Sequence, residues 1–224
     1  MAPSVQWDWG GLSSRLQEGA RQLELSIDPA QVKQLIAYLE RLDRWNSVHS
    51  LSAWKNPSEL LIHHVFDSMA LVGPLKRFAE SRPLRILDAG SGPGFPAAVL
   101  AVMEPSWSVT AVDAVAKKIA FVRQAATESG IPSLAGLHAR LEDMPPSKPF
   151  DVVVSRAFGS LDHFTAQTRH LLARGGVWVA QKGRIPKEEM AQLPDDLQVF
   201  HVEPVTVPAL DAERHLVWMR KVNP

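Results

Sequence analysis

The chain has 224 residues, with 24 Lys and Arg balanced by 24 Asp and Glu, 46% hydrophobic residues and no cysteine. That length suits one α/β domain with an extension, and the balanced charge means that any nucleic-acid partner is held by a local patch rather than by bulk attraction. The lack of cysteine excludes disulfides, thiolate metal ligands and every mechanism with a cysteine nucleophile, including the covalent route to methylating a pyrimidine carbon.

The first third reads as helical. Leu12, Leu16 and Leu23 predict a first helix, which Gly19 weakens. Asp28, Pro29 and Gln31 form a helix-start signal with a capping box, and Val32, Leu35, Ile36, Leu39 and Leu42 then recur at helical spacing. A turn is expected around Trp45-Asn46-Ser47-Val48-His49. Asn56-Pro57-Ser58-Glu59 repeats the start signal and opens a helix through Leu60, Leu61, His64, Val65, Ser68 and Leu71, which Gly73-Pro74 weakens or stops.

From Leu84 onward strand and helix signals alternate, as in a mainly parallel sheet covered on both faces. Strands are expected at 84–88, 107–113, 134–138, 150–155 and 176–181, and helices near 96–103, 115–129 and 160–173. Two last strands, near 197–206 and 214–221, have no room for a crossover helix and should pair as an antiparallel hairpin. The expected division is a helical extension over 1–83 and a Rossmann-like domain over 84–224. No apolar run reaches the roughly 18 residues of a membrane span, and Met1–Asp8 lacks the order of a signal peptide. A cytoplasmic chain with no membrane partner is the expectation.

The most informative stretch is Asp88-Ala89-Gly90-Ser91-Gly92-Pro93-Gly94, at the end of the first strand signal. Alternating glycines let backbone turn tightly and approach a ligand, and the next helix offers unpaired N–H groups. Asp113 ends the second strand signal, where a carboxylate suits ribose hydroxyls. Gly92-Pro93-Gly94-Phe95-Pro96-Ala97 also satisfies the G-x-G-x-x-G/A spacing of dinucleotide enzymes, so an NAD-dependent oxidoreductase is one alternative. Asp88 argues against it: a carboxylate there repels a pyrophosphate but can hold an ammonium group directly or through water. With Asp113 and the terminal hairpin, it favours S-adenosylmethionine.

Five segments carry a resemblance over nearly the whole chain. They are Arg44-Trp45-Asn46-Ser47-Val48-His49-Ser50-Leu51-Ser52-Ala53, His64-Val65-Phe66-Asp67-Ser68, the glycine loop through Pro96, Ser155-Arg156-Ala157-Phe158-Gly159-Ser160-Leu161, and Val207-Pro208-Ala209-Leu210-Asp211-Ala212-Glu213-Arg214-His215-Leu216. The loop is common to many methyltransferases, whereas the S-R-A-F and L-D-x-E-R-H runs are specific. Together, in this order, they resemble the GidB/RsmG-type methyltransferases. The resemblance implies a class I S-adenosylmethionine-dependent methyltransferase fold, with a seven-stranded sheet and an N-terminal helical extension. It implies methyl transfer to guanine N7 in the 530-loop region of 16S ribosomal RNA, with the small ribosomal subunit as partner; separately, a monomer is the expectation.

By the same resemblance, Gly90 and Phe95 contact the cofactor while Gly92 and Gly94 shape the turn. Asp113 with Ala114, Leu141 with Glu142, and Arg156 complete the cofactor set. Three positions depart from the family's usual residues: Ala97 replaces a glycine, Ser50 an asparagine, and His63 a frequent arginine or lysine. At its reference pKa, His63 is mostly neutral at pH 7, so a steady positive charge is lost there.

Guanine N7 carries an in-plane lone pair and no proton, so methylating it needs positioning rather than a general base. Arg156 and Lys182 are the candidates to orient the guanine, although the resemblance favours Arg156 as a cofactor anchor, and a solvated lysine is the lesser alternative for Lys182. For His64 and Asp67 the plainer reading is a structural hydrogen bond joining helix to domain. Arg214 and His215 beside Asp211 and Glu213 read as a loop-bracing ion network, and the tryptophans as packing residues, although Trp45 and Trp54 are able to stack on RNA. A non-catalytic RNA-binding or ribosome-binding module with a retained pocket is the remaining alternative.

Overall fold

The computed structural model describes residues 8–146, 148–156 and 158–222. Residues 1–7, which the signal-peptide reading used, and Ala157 of the S-R-A-F run lie outside the described residues.

Among the described residues, six helical pieces precede the sheet. Helix α1 (Trp9–Gln22) runs straight through Gly19. A β-carbon at Gly19 would collide with the Phe66 ring, so the glycine that weakened the predicted helix is what lets it pack closely. Helix α2 (Pro29–His49) has the expected capping box: Asp28 Oδ1 accepts from Gln31 N at 2.8 Å, and Asp28 N donates to Gln31 Oε1 at 2.9 Å. Gln31 Nε2 also donates to the Val102 carbonyl at 2.9 Å, tying the helix start to the sheet domain.

The expected turn at 45–49 is helical, because α2 continues through His49 and ends where Ser50 turns left-handed at φ 49°. The second helix is irregular. It is built of α3 (Pro57–Leu60), a π-helical turn over Leu61–Phe66 and α4 (Asp67–Met69). Gly73-Pro74 does not stop helical structure either. Both fall in the first turn of α5 (Val72–Ala79), where a proline's missing N–H costs nothing.

The sheet has the order β3-β2-β1-β4-β5-β7-β6. Its strands are β1 (Arg85–Ala89), β2 (Ser108–Asp113), β3 (Leu134–His138), β4 (Phe150–Arg156), β5 (Leu172–Lys182), β6 (Leu197–Pro204) and β7 (His215–Lys221). The first five are parallel, and β7 pairs antiparallel with both β5 and β6. The last two strands thus form the expected antiparallel pair, with β7 inserted inside β6. Strand β5 begins at Leu172 rather than 176, because α8 (Leu161–Thr168) and a 3-10 turn end earlier than the expected helix. Helices α6 (Ala97–Met103) and α7 (Ala116–Glu128) form the crossovers before β2 and β3, and the short α9 (Lys187–Ala191) lies between β5 and β6.

Side chains alternate across the strands and divide the core in two. Ile86, Val152 and Val154 join one cluster with α6, α7 and the N-terminal helices, including Leu16, Tyr38, Leu39 and Leu42. Leu87, Val153 and Trp178 join the other with Leu161 and Phe164 of α8. One apolar cluster therefore crosses the expected boundary at Leu84. Each fully buried leucine there contributes roughly 1.5–3 kcal/mol, which ties the helices to the sheet face they cover. No helix among the described residues is long and apolar enough to cross a membrane.

Candidate functional site

The strand order reverses between β1 and β4, and at such a switch point the loops leaving the carboxyl ends diverge and open a crevice. Asp88 and the glycine loop leave β1 on one side of it. Arg156 ends β4 on the other.

The loop is held from beneath. Ser91 N donates to the Val112 carbonyl at 2.9 Å, and Gly94 N and Phe95 N both donate to the Ser91 carbonyl, at 2.9 and 3.1 Å. All three glycines have positive φ, but they serve different ends. A β-carbon on Gly94 (φ 87°) would strike the hydroxyl of Tyr38, which donates to the Pro93 carbonyl at 3.0 Å; one on Gly90 (φ 69°) would lie 2.7 Å from the Phe158 ring. One on Gly92 (φ 57°) would meet nothing within 4 Å, so this glycine faces open space.

Asp88 is buried, at 1% exposure, and its Oδ2 accepts from Ala97 N at 3.0 Å. Its Oδ1 has no donor, and the nearby-in-sequence Ser91 Oγ is also buried without a partner. Burial raises the Asp88 pKa to about 7, against the lowering effect of the Ala97 N–H. Asp113 Oδ2 accepts from Gly92 N at 3.0 Å and Lys118 Nζ at 3.3 Å, while Oδ1 accepts from Val115 N at 2.8 Å. A carboxylate offers about four lone-pair sites, so Oδ1 keeps an acceptor position open.

Gly90, Asp113, Ala114, Leu141 and Glu142 line a common cleft. Five of the residues singled out in the sequence thus meet there, from three loops far apart in the chain. Phe158 and Gln167 line it too, and sequence reasoning did not single them out. The orphaned Asp88 oxygen, the open face of Gly92 and the spare acceptor on Asp113 together fit a ligand with a cationic group and hydroxyls. Phe95 is buried away from that cleft, with its ring stacked on His64 at 4.7 Å and edge-on to Tyr38 at 5.5 Å.

Arg156 lines a second, polar cleft with Trp54, His63, Asp67, Gln181, Lys182, Gly183 and Arg214. The π-helical turn aims His64 and the following Asp67 at one guanidinium; such turns widen a helix locally and recur at functional sites. Arg156 NH1 donates to the His63 carbonyl at 2.6 Å and to Asp67 Oδ2 at 3.1 Å, and NH2 bonds His64 Nδ1 at 2.9 Å. On its other oxygen, Asp67 accepts from Arg214 Nε at 2.8 Å and Gln181 Nε2 at 3.1 Å. Asp67 is thus a buried carboxylate shared by two arginines, joining the helix over 57–69 to β4, β5 and the loop before β7. The pairing of His64 with Asp67 runs through Arg156 and not directly between them. Arg214 has its strongest partner in Asp67 rather than in the neighbouring Asp211.

Lys182 is no free lysine: its ammonium donates to the Gly159 carbonyl at 2.6 Å and to Glu189 Oε2 at 2.8 Å. Tyr38, Ser52 and Gln181 were missed as contributors. Tyr38 is the chain's only tyrosine, set on the apolar face of α2, and a lone hydroxyl on a buried face was the available signal. Among the described residues, no group of three or more His, Cys, Asp or Glu could hold a metal ion.

The sheet order with an antiparallel β7, the glycine loop and the paired clefts define a class I S-adenosylmethionine-dependent methyltransferase fold; the classic dinucleotide fold continues as 3-2-1-4-5-6. Solved structures agree: a Burkholderia thailandensis 1,6-didemethyltoxoflavin-N1-methyltransferase, with its substrate and S-adenosylhomocysteine bound, matches at a TM-score of 0.56 and 18% identity, over 85% of this chain and 91% of that one. A family model described as GidB, rRNA small subunit methyltransferase G, matches residues 31–217, and the chain belongs to that family. Proteins named ribosomal RNA small subunit methyltransferase G from Acidovorax sp. and Methylibium petroleiphilum are 48% and 45% identical to it. The first alignment covers 92% of this chain and 94% of its relative, and the second 96% and 97%.

Proposed function

We propose that this protein transfers a methyl group from S-adenosylmethionine to N7 of a guanine in 16S ribosomal RNA, in the 530-loop region of the small subunit, as a cytoplasmic monomer. The carrying observation is the placement of two clefts around the end of β4, one lined by Phe158 and one by Arg156. The first has the residue types for a nucleoside with a charged tail, and the second those for a polar base. When bound, the cofactor supplies a methyl group on a positively charged sulfur.

In this reading Asp88 faces the ammonium end, and Gly90 and Gly92 admit the ligand close to backbone. Asp113 and Ala114 take the ribose, and Leu141 and Glu142 the adenine side. Gly94 and Phe95 act from behind, fixing the loop against Tyr38 and His64. Arg156, held in one plane by His63, His64 and Asp67, positions the acceptor base, and Lys182 holds the segment after Phe158 in place. No residue has to remove a proton, because guanine N7 carries none. Holding the reacting atoms about 3–3.5 Å apart supplies the larger part of what such a displacement requires.

The test is incubation of the protein and S-adenosylmethionine with small-subunit RNA and particles that lack the mark, followed by nucleoside mass spectrometry. The expected product is 7-methylguanosine. Its absence from both substrates overturns the reading.

A further inference from the structure

Trp54 and His63 lie face to face at the mouth of the polar cleft, with ring centroids 3.5 Å apart and planes 5° from parallel. Neither ring is fully buried: both are partly exposed and line the cleft beside Arg156 and Arg214, although Trp54 also packs against the core. Among the described residues, they are the cleft's only aromatic lining. The outer face of a flat, partly exposed ring pair beside guanidinium groups is what a single nucleobase stacks on, since every base has a π-face to offer.

The pair is locked in place. Trp54 sits in the loop between α2 and α3, where its carbonyl accepts from Asn46 Nδ2 at 2.8 Å and its N–H donates to Ser52 Oγ at 3.2 Å. Ser52 Oγ in turn bonds His64 Nε2 at 2.7 Å, so the loop carrying Trp54 is keyed to the imidazole that holds Arg156. His63 is fixed from the other side, through its carbonyl on Arg156. Burial also keeps the His63 pKa below its ordinary value, which favours the neutral ring beside the two arginines.

A second observation points to a ligand with N–H groups. Gln181 Nε2 faces two acceptors, the carbonyl and Oδ1 of Asp67, which fixes the amide orientation and leaves Gln181 Oε1 buried without a donor. Guanine carries an N1–H and an amino group on the edge away from N7. An apolar partner offers nothing to such an acceptor.

We propose that the Trp54–His63 pair is the platform on which the acceptor guanine stacks, making Trp54 a positioning residue for the methyl acceptor as well as a packing residue. This rests on the methyltransferase reading above.

The test compares Trp54→Leu, which removes the ring, with Trp54→Phe, which keeps one. RNA substrate with 2-aminopurine in place of the acceptor guanine reports stacking by fluorescence quenching. Quenching by the unaltered protein and by Trp54→Phe, most of it lost in Trp54→Leu, is expected. A fall of tenfold or more in kcat/KM for Trp54→Leu is expected beside it, with S-adenosylhomocysteine affinity within twofold of the unaltered protein. Retention of either the quenching or kcat/KM within twofold overturns the proposal, as does an equal loss of S-adenosylhomocysteine affinity. Should Trp54→Leu fail to fold, His63→Leu read against His63→Phe decides by the same measurements. Absence of methyl transfer by the unaltered protein strikes the methyltransferase reading instead, and is separate from the quenching result.

Discussion

His64 Nδ1 lies 2.9 Å from an Arg156 nitrogen, and because a guanidinium only donates, the imidazole must accept at that atom. The tautomer follows: the proton of neutral His64 sits on Nε2 and is donated to Ser52 Oγ. Burial, then the Arg156 charge, holds the His64 pKa well below its ordinary value, in agreement with that bonding. A single neutral ring therefore links the loop of Trp54 to the strand end of Arg156.

Charging His64 should cost stability. The group's folded pKa is depressed, so the native state takes up its proton less readily than the unfolded chain, and this contribution is present above about pH 6.5 and lost as pH falls. In unfolding titrations, His64→Gln should lose less stability than the unaltered protein between pH 6.5 and 5. Parallel curves would contradict this.

Asp88 works with the opposite sign. Its folded pKa of about 7 lies above its ordinary value of 3.8, so the folded chain holds a proton that the unfolded chain has released across that window. Its contribution is full below pH 3.8 and declines as pH rises to about 7. Asp88→Asn imitates the protonated acid and keeps an oxygen for Ala97 N. The variant should gain on the unaltered protein as pH rises, by on the order of 2–4 kcal/mol at pH 7, measured by denaturant unfolding. The same variant should weaken S-adenosylhomocysteine binding.

Glycines 92 and 94 should separate stability from binding. Gly94→Ala adds a methyl group against Tyr38 and Val122 as well as a strained φ, and should destabilise by about 3 kcal/mol or more. Gly92→Ala carries only the backbone strain, roughly 1–2 kcal/mol, because its methyl group enters open space. It should nonetheless cost more cofactor affinity than its stability loss predicts. Calorimetric unfolding and ligand titration on both variants check the contrast.

Asp67 is the carboxylate on which both cleft arginines depend. Asp67→Asn leaves Arg156 and Arg214 without their shared anion and should destabilise by about 2–4 kcal/mol, below the full value for a buried pair because Arg156 is one-fifth exposed. Arg156→Lys keeps the charge but not the fork that reaches His63, His64 and Asp67 together, and should lower methyl transfer at least tenfold. Unfolding midpoints and single-turnover rates measure the two effects.

Local pattern made much of the fold readable. The capping box at Asp28 and Gln31, the strands from β1 onward and the glycine loop all follow from spacing and turn chemistry within a few residues. The misjudged places are those where a partner distant in sequence, or the exact start of a helix, overrides a local signal. Gly19 reads as a helix weakness until Phe66 is seen against it, and Gly73-Pro74 reads as a stop until the two residues are seen to occupy a first turn. The order of β6 and β7 depends on which of the two takes the free edge of β5, and strand periodicity carries no record of that.

The candidate site divides along the same line. Residue types and spacing determined by themselves that a glycine loop between two carboxylates ends neighbouring strands, and the five matching segments determined the family. Only the tertiary structure decided what those residues face. Asp88 turned inward with one oxygen unpaired, Tyr38 closed the back of Gly94, and Asp67 drew Arg156, Gln181 and Arg214 together from three separate stretches of chain. The physical reason is that burial and pairing belong to groups brought together by packing. A sequence shows which groups are able to ionise, donate or stack, but their partners are chosen when the helices close over the sheet.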